Sequence, residues 1–169
     1  MNLGVMIEGQ EGLTWDRWRR IIRTTEDSGF ESLWRSDHFF AFAEPRERPA
    51  LETFISFVLV AEESKRIRFG PLVASMTFRH PSLLARMAAQ IDELSGGRFI
   101  LGIGPSGPQV IEGWHGVAYG RPLTRTREYI SIIRQIFARE APVTHDGFHY
   151  QLPYSGPGAS GLGKPLKSI

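Results

Sequence analysis

Short apolar runs alternate with helical stretches four times along this chain, and that rhythm constrains the fold more than any other feature. The run "LGVMIE" (Leu3–Glu8), with a glycine-rich exit, suits a buried strand. Thr14 can cap a helix whose Trp15, Trp18, Ile21 and Ile22 share one face, and Gly29 stops it. "FESLWR" supplies a second strand. Leu51, Phe54, Ile55, Val58 and Leu59 then repeat at helical spacing. "IRFGPLVAS" (Ile67–Ser75) is a third strand, in which Gly70-Pro71 predicts a distortion or an edge. Pro81 suits the first position of a helix with Leu83, Leu84, Met87, Ala88, Ile91 and Leu94 on its buried stripe, ended by Ser95-Gly96-Gly97. "RFILGIG" is the fourth strand, followed by a polar, glycine-rich loop from Pro105 to Leu123. A fourth helix turns Ile132, Ile133, Ile136 and Phe137 inward. "VTHDGFHYQL" predicts a hairpin turning at Asp146-Gly147, before a Pro/Gly-rich tail.

The order βαβαβαβα specifies an α/β fold with a parallel sheet and right-handed crossovers. Strands apolar on both faces are what such a sheet requires. Two architectures remain: a doubly wound sheet with helices on both faces, or four β/α units of a TIM (β/α)8 barrel, which needs about 250 residues when complete. Even strand spacing and long polar loops after each strand favour the barrel half. The expectation is one incomplete barrel domain over 1–169, with hairpin and tail at 141–169. Its first and fourth strands are then open edges that call for a partner.

Composition narrows the function. A formal charge of +2 with scattered basic residues gives no electrostatic footprint for nucleic acid. The absence of cysteine removes disulfides and thiolate metal sites. No apolar run approaches the roughly 20 residues of a membrane span, and the N-terminus lacks the pattern of a signal peptide. A cytoplasmic protein is expected.

In parallel α/β folds, sites collect where strands end. Here those ends carry Glu8, then Asp37-His38, then Ser75 to His80, then Gly102 to Gly107. Asp37 and His38 fit a general acid/base or hydrogen-bonding pair; equally, Asp37 can cap its loop while His38 is a satisfied polar residue. Arg79-His80 fits an anion site, but His80 ahead of Pro81 reads better as a helix start. Glu8 is a rim carboxylate or a solvated loop charge. "GIGPSGPQ" permits close backbone approach to a planar or phosphorylated ligand. Gly102, Gly104 and Gly107 have GxGxxG spacing, but Pro105 and Pro108 interrupt the helix start that a dinucleotide site needs. Asp37, His38 and His80 lack the i, i+4 spacing of a helical metal pair, so no metal site is assigned. Phe39, Phe40, Phe78 and Trp114 can frame a flat ligand or simply pack.

The segments "SLWRSDHFF", "LVASMTFRHPSLLARMAAQIDELSGGRFILGIGPSG" and "EGWHG" together resemble the N-terminal half of the bacterial-luciferase-like flavin and deazaflavin oxidoreductases, which include FMN-dependent monooxygenases. "GPSGPQVIEGWHG" is most similar to the branch that uses coenzyme F420, an 8-hydroxy-5-deazaflavin. The resemblance implies a (β/α)8 barrel that binds a reduced deazaflavin, or alternatively FMN, at its C-terminal mouth. It implies that Asp37 and His38 stand near the ring and that Glu8 is a rim carboxylate. Ala74, Ser75 and Met76 would form the third-strand bulge behind the ring, often with a non-prolyl cis peptide. Gly104, Pro105, Ser106 and Gly107 would form the loop beside it. The sugar-phosphate dehydrogenases of the deazaflavin group place a glutamate where this chain has Gly107 and Pro108, which argues against that substrate class. The family continues beyond this chain into further strands, so a C-terminal half-barrel or a second copy of the chain is the expected partner.

Overall fold

In the computed structural model, which describes residues 2–159, the elements follow the expected alternation. They are β1 (Gly4–Ile7), α1 (Trp15–Asp27), β2 (Ser32–Arg35), α2 (Thr53–Glu63), β3 (Arg68–Pro71), β4 (Ala74–Ser75), α3 (Pro81–Leu94), β5 (Ile103–Gly104), α4 (Pro108–Ile111), α5 (Pro122–Ala138), β6 (His145–Asp146) and β7 (Gln151–Leu152). The described chain divides into two units, 2–74 with 87–103 and 75–86 with 104–159.

In the first unit β1, β2 and β3 pair in parallel and in sequence order, with Val5 opposite Leu33 and Leu33 opposite Phe69. A parallel bridge from Phe69 to Phe99 adds the fourth strand position beside β3. Trp18 of α1 donates to the Ser56 carbonyl of α2 at 2.8 Å, and Arg19 pairs with Glu63 at 2.8 Å. Sequential strand order with neighbouring helices packed on each other is the singly wound pattern of a barrel, not the reversing order of a doubly wound sheet. Phe54, Phe57, Phe69 and Phe99 interlock beneath the helices with centroids 5.6–6.2 Å apart. Fully burying each of Phe54, Phe57 and Phe69 stabilises by about 2 kcal/mol. The Arg98 guanidinium of "LSGGR" donates to the carbonyls of Ala61, Ser64, Ile67 and Ser95 and to the Ser64 hydroxyl. It thereby ties the ends of two helices to the start of β3.

Several sequence expectations change here. β1 is not buried on both faces: Gly4 and Met6, which share one face of the strand, are exposed. The third strand is broken after Pro71 by a non-prolyl cis peptide at Leu72-Val73, two residues before the expected bulge at Ala74 to Met76. The fourth strand is regular only at Ile103–Gly104. A side chain at Gly70 would strike the Ile100 carbonyl, and one at Gly102 the Pro71 carbonyl, so these backbones lie closer than a side chain allows. On the helices, Trp15, Ile55, Val58, Leu83, Leu94 and Phe137 are exposed, while Phe57, Val60 and Tyr129 are buried.

In the second unit, α5 buries Tyr129, Ile132, Ile133 and Ile136. The hairpin forms as expected, with His145 opposite Leu152 and a turn closed by Gly147 N–H on the Tyr150 carbonyl at 2.9 Å. Glu128 of α5 holds that turn: its carboxylate accepts the backbone N–H groups of Phe148, His149 and Tyr150 at 2.8–3.1 Å. The last part of the expected tail, 160–169, lies outside the described residues.

Candidate active site at the strand ends

Hydrogen bonds carry the first unit's strand ends forward in register. Ser36 N–H reaches the Ile7 carbonyl at 3.2 Å, Leu72 N–H the Arg35 carbonyl at 2.9 Å, and Ala74 N–H the Gly102 carbonyl at 2.8 Å. The residues that follow β1, β2 and β3 therefore share one end of the sheet: Glu8 to Gln10, Ser36 to His38, and Leu72 to Ala74. Of the expected site residues, the first unit gathers Glu8, Asp37, His38 and Ala74 there.

Beneath this end lies a buried cation that sequence reading missed. Arg35 is fully buried and donates to Ser56 Oγ at 2.7 Å, the Leu51 carbonyl at 2.8 Å and the Ser36 carbonyl at 3.3 Å. Burial pushes its pKa down to about 10, against the opposing pull of Asp37 and Glu52. Asp37 itself is 2% exposed. The Asp37 carboxylate is thus seated beside a fixed positive charge, and the backbone between them is clamped to α2.

His38 follows directly. Its Nδ1 is shielded from solvent and makes no hydrogen bond among the described residues, and its ring meets the edge of Phe42 at 4.8 Å. A shielded polar atom without a partner is uncommon in a folded protein. Glu8 is exposed; its Oε2 accepts from Gln10 Nε2 at 2.7 Å, and Gln10 Oε1 accepts from Ser36 Oγ at 2.7 Å. Gln10, 1% exposed, therefore links the rim carboxylate to the segment carrying Asp37. Neither Gln10 nor Phe42 was picked from sequence. The only hint was a polar residue within a glycine-rich exit, and an aromatic two beyond the pair that was noticed.

The second unit holds the remaining expected residues. Met76 N–H donates to the Gly104 carbonyl at 3.1 Å, joining the segment after β4 to the loop after β5. Ser75 Oγ and Thr77 Oγ1 share a hydrogen bond of 2.9 Å. In the loop, Ser106 adopts φ of 60°, its carbonyl accepts from Tyr119 OH at 2.9 Å, and its own Oγ is shielded and without a hydrogen bond among the described residues. Pro105 precedes this turn. Contrary to the sequence reading, Pro108 does not prevent a helix: it opens the four-residue α4 with Gly107 as N-cap. A Cβ at Gly107 would lie 2.6 Å from Gln109 Oε1, so the Gln109 amide covers that position. His80 serves as a helix start, its Nδ1 accepting from Ser82 N–H at 3.3 Å. Phe78 packs on His115 at 4.2 Å. Among the described residues, no group of three or more His, Cys, Asp or Glu is arranged to hold a metal ion, and no helix is long and apolar enough to cross a membrane.

The model of the luciferase-like monooxygenase family matches residues 1–165. The chain belongs to that family. It is 42% identical over 88% of its length to a Mycobacterium tuberculosis protein named provisionally as a coenzyme F420-dependent oxidoreductase, of which it spans 40%. It is 34% identical over 75% of its length to the 5,10-methylenetetrahydromethanopterin reductase of Archaeoglobus fulgidus, of which it spans 35%. Among solved structures, the oxygenating constituent of 3,6-diketocamphane monooxygenase from Pseudomonas putida, in complex with FMN, superposes with a TM-score of 0.75 at 22% identity. That match covers 99% of this chain and 47% of the other. The fold is accordingly α/β, four units of a (β/α)8 barrel, and the chain spans less than half the length of these relatives.

Proposed function

We propose that this chain forms the ring-binding half of an oxidoreductase that transfers hydride between a reduced coenzyme and a small organic substrate. Coenzyme F420 is the favoured coenzyme and FMN the alternative. The observation that carries the proposal is His38 Nδ1, shielded and unsatisfied at the end of β2, in a chain 42% identical to a relative whose name carries coenzyme F420. A group with an unmet hydrogen bond suits the polar edge of a tricyclic ring or of the substrate beside it.

When bound, a deazaflavin supplies a hydride at a ring carbon, and the hard chemistry is the coenzyme's. The chain's own residues orient and polarise. His38 would hold or hand over a proton at Nδ1 as charge develops. Asp37, fixed beside the Arg35 cation, would keep the loop and the imbalance of charge in place. Ala74, Ser75 and Met76 would support one face of the ring, and the backbone from Gly104 to Gly107 would allow close approach. Glu8, tethered through Gln10, would act from the rim. The remaining half of the barrel, either a C-terminal segment or a second copy of this chain, would complete the grip.

The test is to titrate the protein with coenzyme F420 and, separately, with FMN, following deazaflavin fluorescence and flavin absorbance. A saturable response, tighter for F420, is expected. No saturable response to either coenzyme would overturn the reading.

A further inference from the structure

The connection between β2 and α2 carries both His38 and Phe42, and much of it has no core to lean on. Ala41 is buried, but residues 42–47 are exposed throughout, Phe42 itself at 50%. Yet the Phe42 ring stands edge-on to His38, with centroids 4.8 Å apart and planes at 77°. A half-exposed ring on an exposed segment gains little from burial, so a further interaction has to set its place.

That interaction comes from the exit of β1. Glu11 Oε1 accepts the Phe42 backbone N–H at 3.1 Å, and Glu11 Oε2 accepts from Arg48 Nη1 at 2.7 Å. Arg48 also donates Nη2 to the Glu44 carbonyl at 2.8 Å and Nε to the Pro45 carbonyl at 3.0 Å. One carboxylate thus fastens both ends of 42–48, and one guanidinium braces the middle. The anchoring side is stiff: Glu11 N–H donates to the Glu8 carbonyl at 3.1 Å, and Arg17 Nη1 donates to the Gly12 carbonyl at 2.8 Å. Gly9, Gln10, Gly12 and Leu13 around it are buried. The side chains of Glu11 and Arg48 keep 27% and 30% of their exposure, and an ion pair so near the surface contributes little to global stability. Its effect is local, on where the loop sits.

We infer that Glu11 is a positioning residue for the site: it latches the loop after β2 so that Phe42 stays on His38 and water stays off Nδ1. Glu11 acts through the backbone of Phe42 and through Arg48. The inference rests on the role given to His38 above and adds what keeps that imidazole in place.

The experiment is NMR of the 169-residue protein, following the ring shifts of His38 and the cross-peaks between the His38 and Phe42 ring protons. The unmodified protein should show those cross-peaks. Glu11→Ala and Arg48→Met should each abolish them and move the His38 shifts, as the open loop becomes about tenfold more populated. The contact between Phe148 and His149 in the hairpin should keep its own cross-peaks, with the thermal midpoint nearly unchanged. Glu11→Ala added to Phe42→Ala should move the His38 shifts no further than Phe42→Ala alone. Cross-peaks that survive in both Glu11→Ala and Arg48→Met overturn the proposal, as does a further movement in the double variant. Loss of the hairpin cross-peaks as well, or a large fall in thermal midpoint, marks a general loosening and also overturns it. Coenzyme titration separates the latch from the reading on which it rests. Whichever of F420 and FMN binds, Glu11→Ala should weaken it as Phe42→Ala does, and an affinity that Glu11→Ala leaves unchanged overturns the positioning role. If neither binds, the ring-binding reading falls, and the NMR comparison decides the latch by itself.

Discussion

Two histidines follow a charged residue at a strand-to-helix passage in this chain, and their fates differ. His80 has its Nδ1 occupied by the first turn of α3, where Ser82 N–H and Ser82 Oγ both reach it, and burial holds its pKa below the ordinary imidazole value. His38 has its Nδ1 shielded and unsatisfied. In sequence the dipeptides Asp37-His38 and Arg79-His80 look alike. What separates them is whether the residues nearby occupy Nδ1. The paired nitrogen of His80 serves the start of α3, and the unpaired one of His38 is what the proposed function draws on.

The largest expected effect tests the foundation under His38. Arg35→Met removes the donor that the Leu51 carbonyl and the Ser56 hydroxyl accept from, and the buried positive charge that interacts with Asp37. Urea denaturation should show a loss of about 3 kcal/mol; a loss within error of zero would mean that the Asp37-His38 segment is not held by Arg35. Next comes the pair itself. In an enzyme containing this chain, His38→Ala should lower turnover about 100-fold with little change in thermal midpoint. His80→Ala should cost about 1 kcal/mol as a lost helix cap with turnover nearly intact. Equal losses of stability from the two substitutions would erase the distinction.

The smallest effect concerns another spent group, Glu128. Burial works to raise its pKa, but the backbone N–H groups of His149, Phe148 and Tyr150 and the nearby His149 outweigh it, so the carboxyl lies below its usual 4.5. A depressed carboxyl contributes stability that is present above 4.5 and lost as pH falls below it, through the folded-state value. Glu128→Gln should flatten that acid limb of the stability curve, measured as thermal midpoint against pH. An unchanged acid limb would show that the clasp on the hairpin turn contributes nothing.

The alternation of strands and helices was legible because apolar periodicity reports burial directly, and the caps at Thr14 and Pro81 mark helix starts by their own chemistry. The inward faces were read less well. On α1, Trp18 and Ile22 are buried, but Trp15 lies on the same stripe in the first turn and remains 42% exposed. On α5, Phe137 follows Ile136 by one residue and so points about 100° away from the buried line. At the candidate site, Asp37 and His38 could be found because acid and imidazole are conspicuous where a strand stops. Gln10 and Arg35 could not. Their importance comes from partners 26 and 21 residues away in sequence, and no local pattern encodes such pairings. The cis peptide lies at Leu72-Val73, just ahead of the residues where the resemblance put it.

Gly9 shows how this arrangement constrains change. A methyl group at that position would collide with the Arg35 guanidinium, so the glycine is dictated by the flat cation stacked against it and not by any demand for an unusual backbone angle. The two sites are thereby yoked across β1 and β2. Any lineage that enlarges the first must shrink or reposition the second, and in doing so would disturb the footing of the acid two residues along.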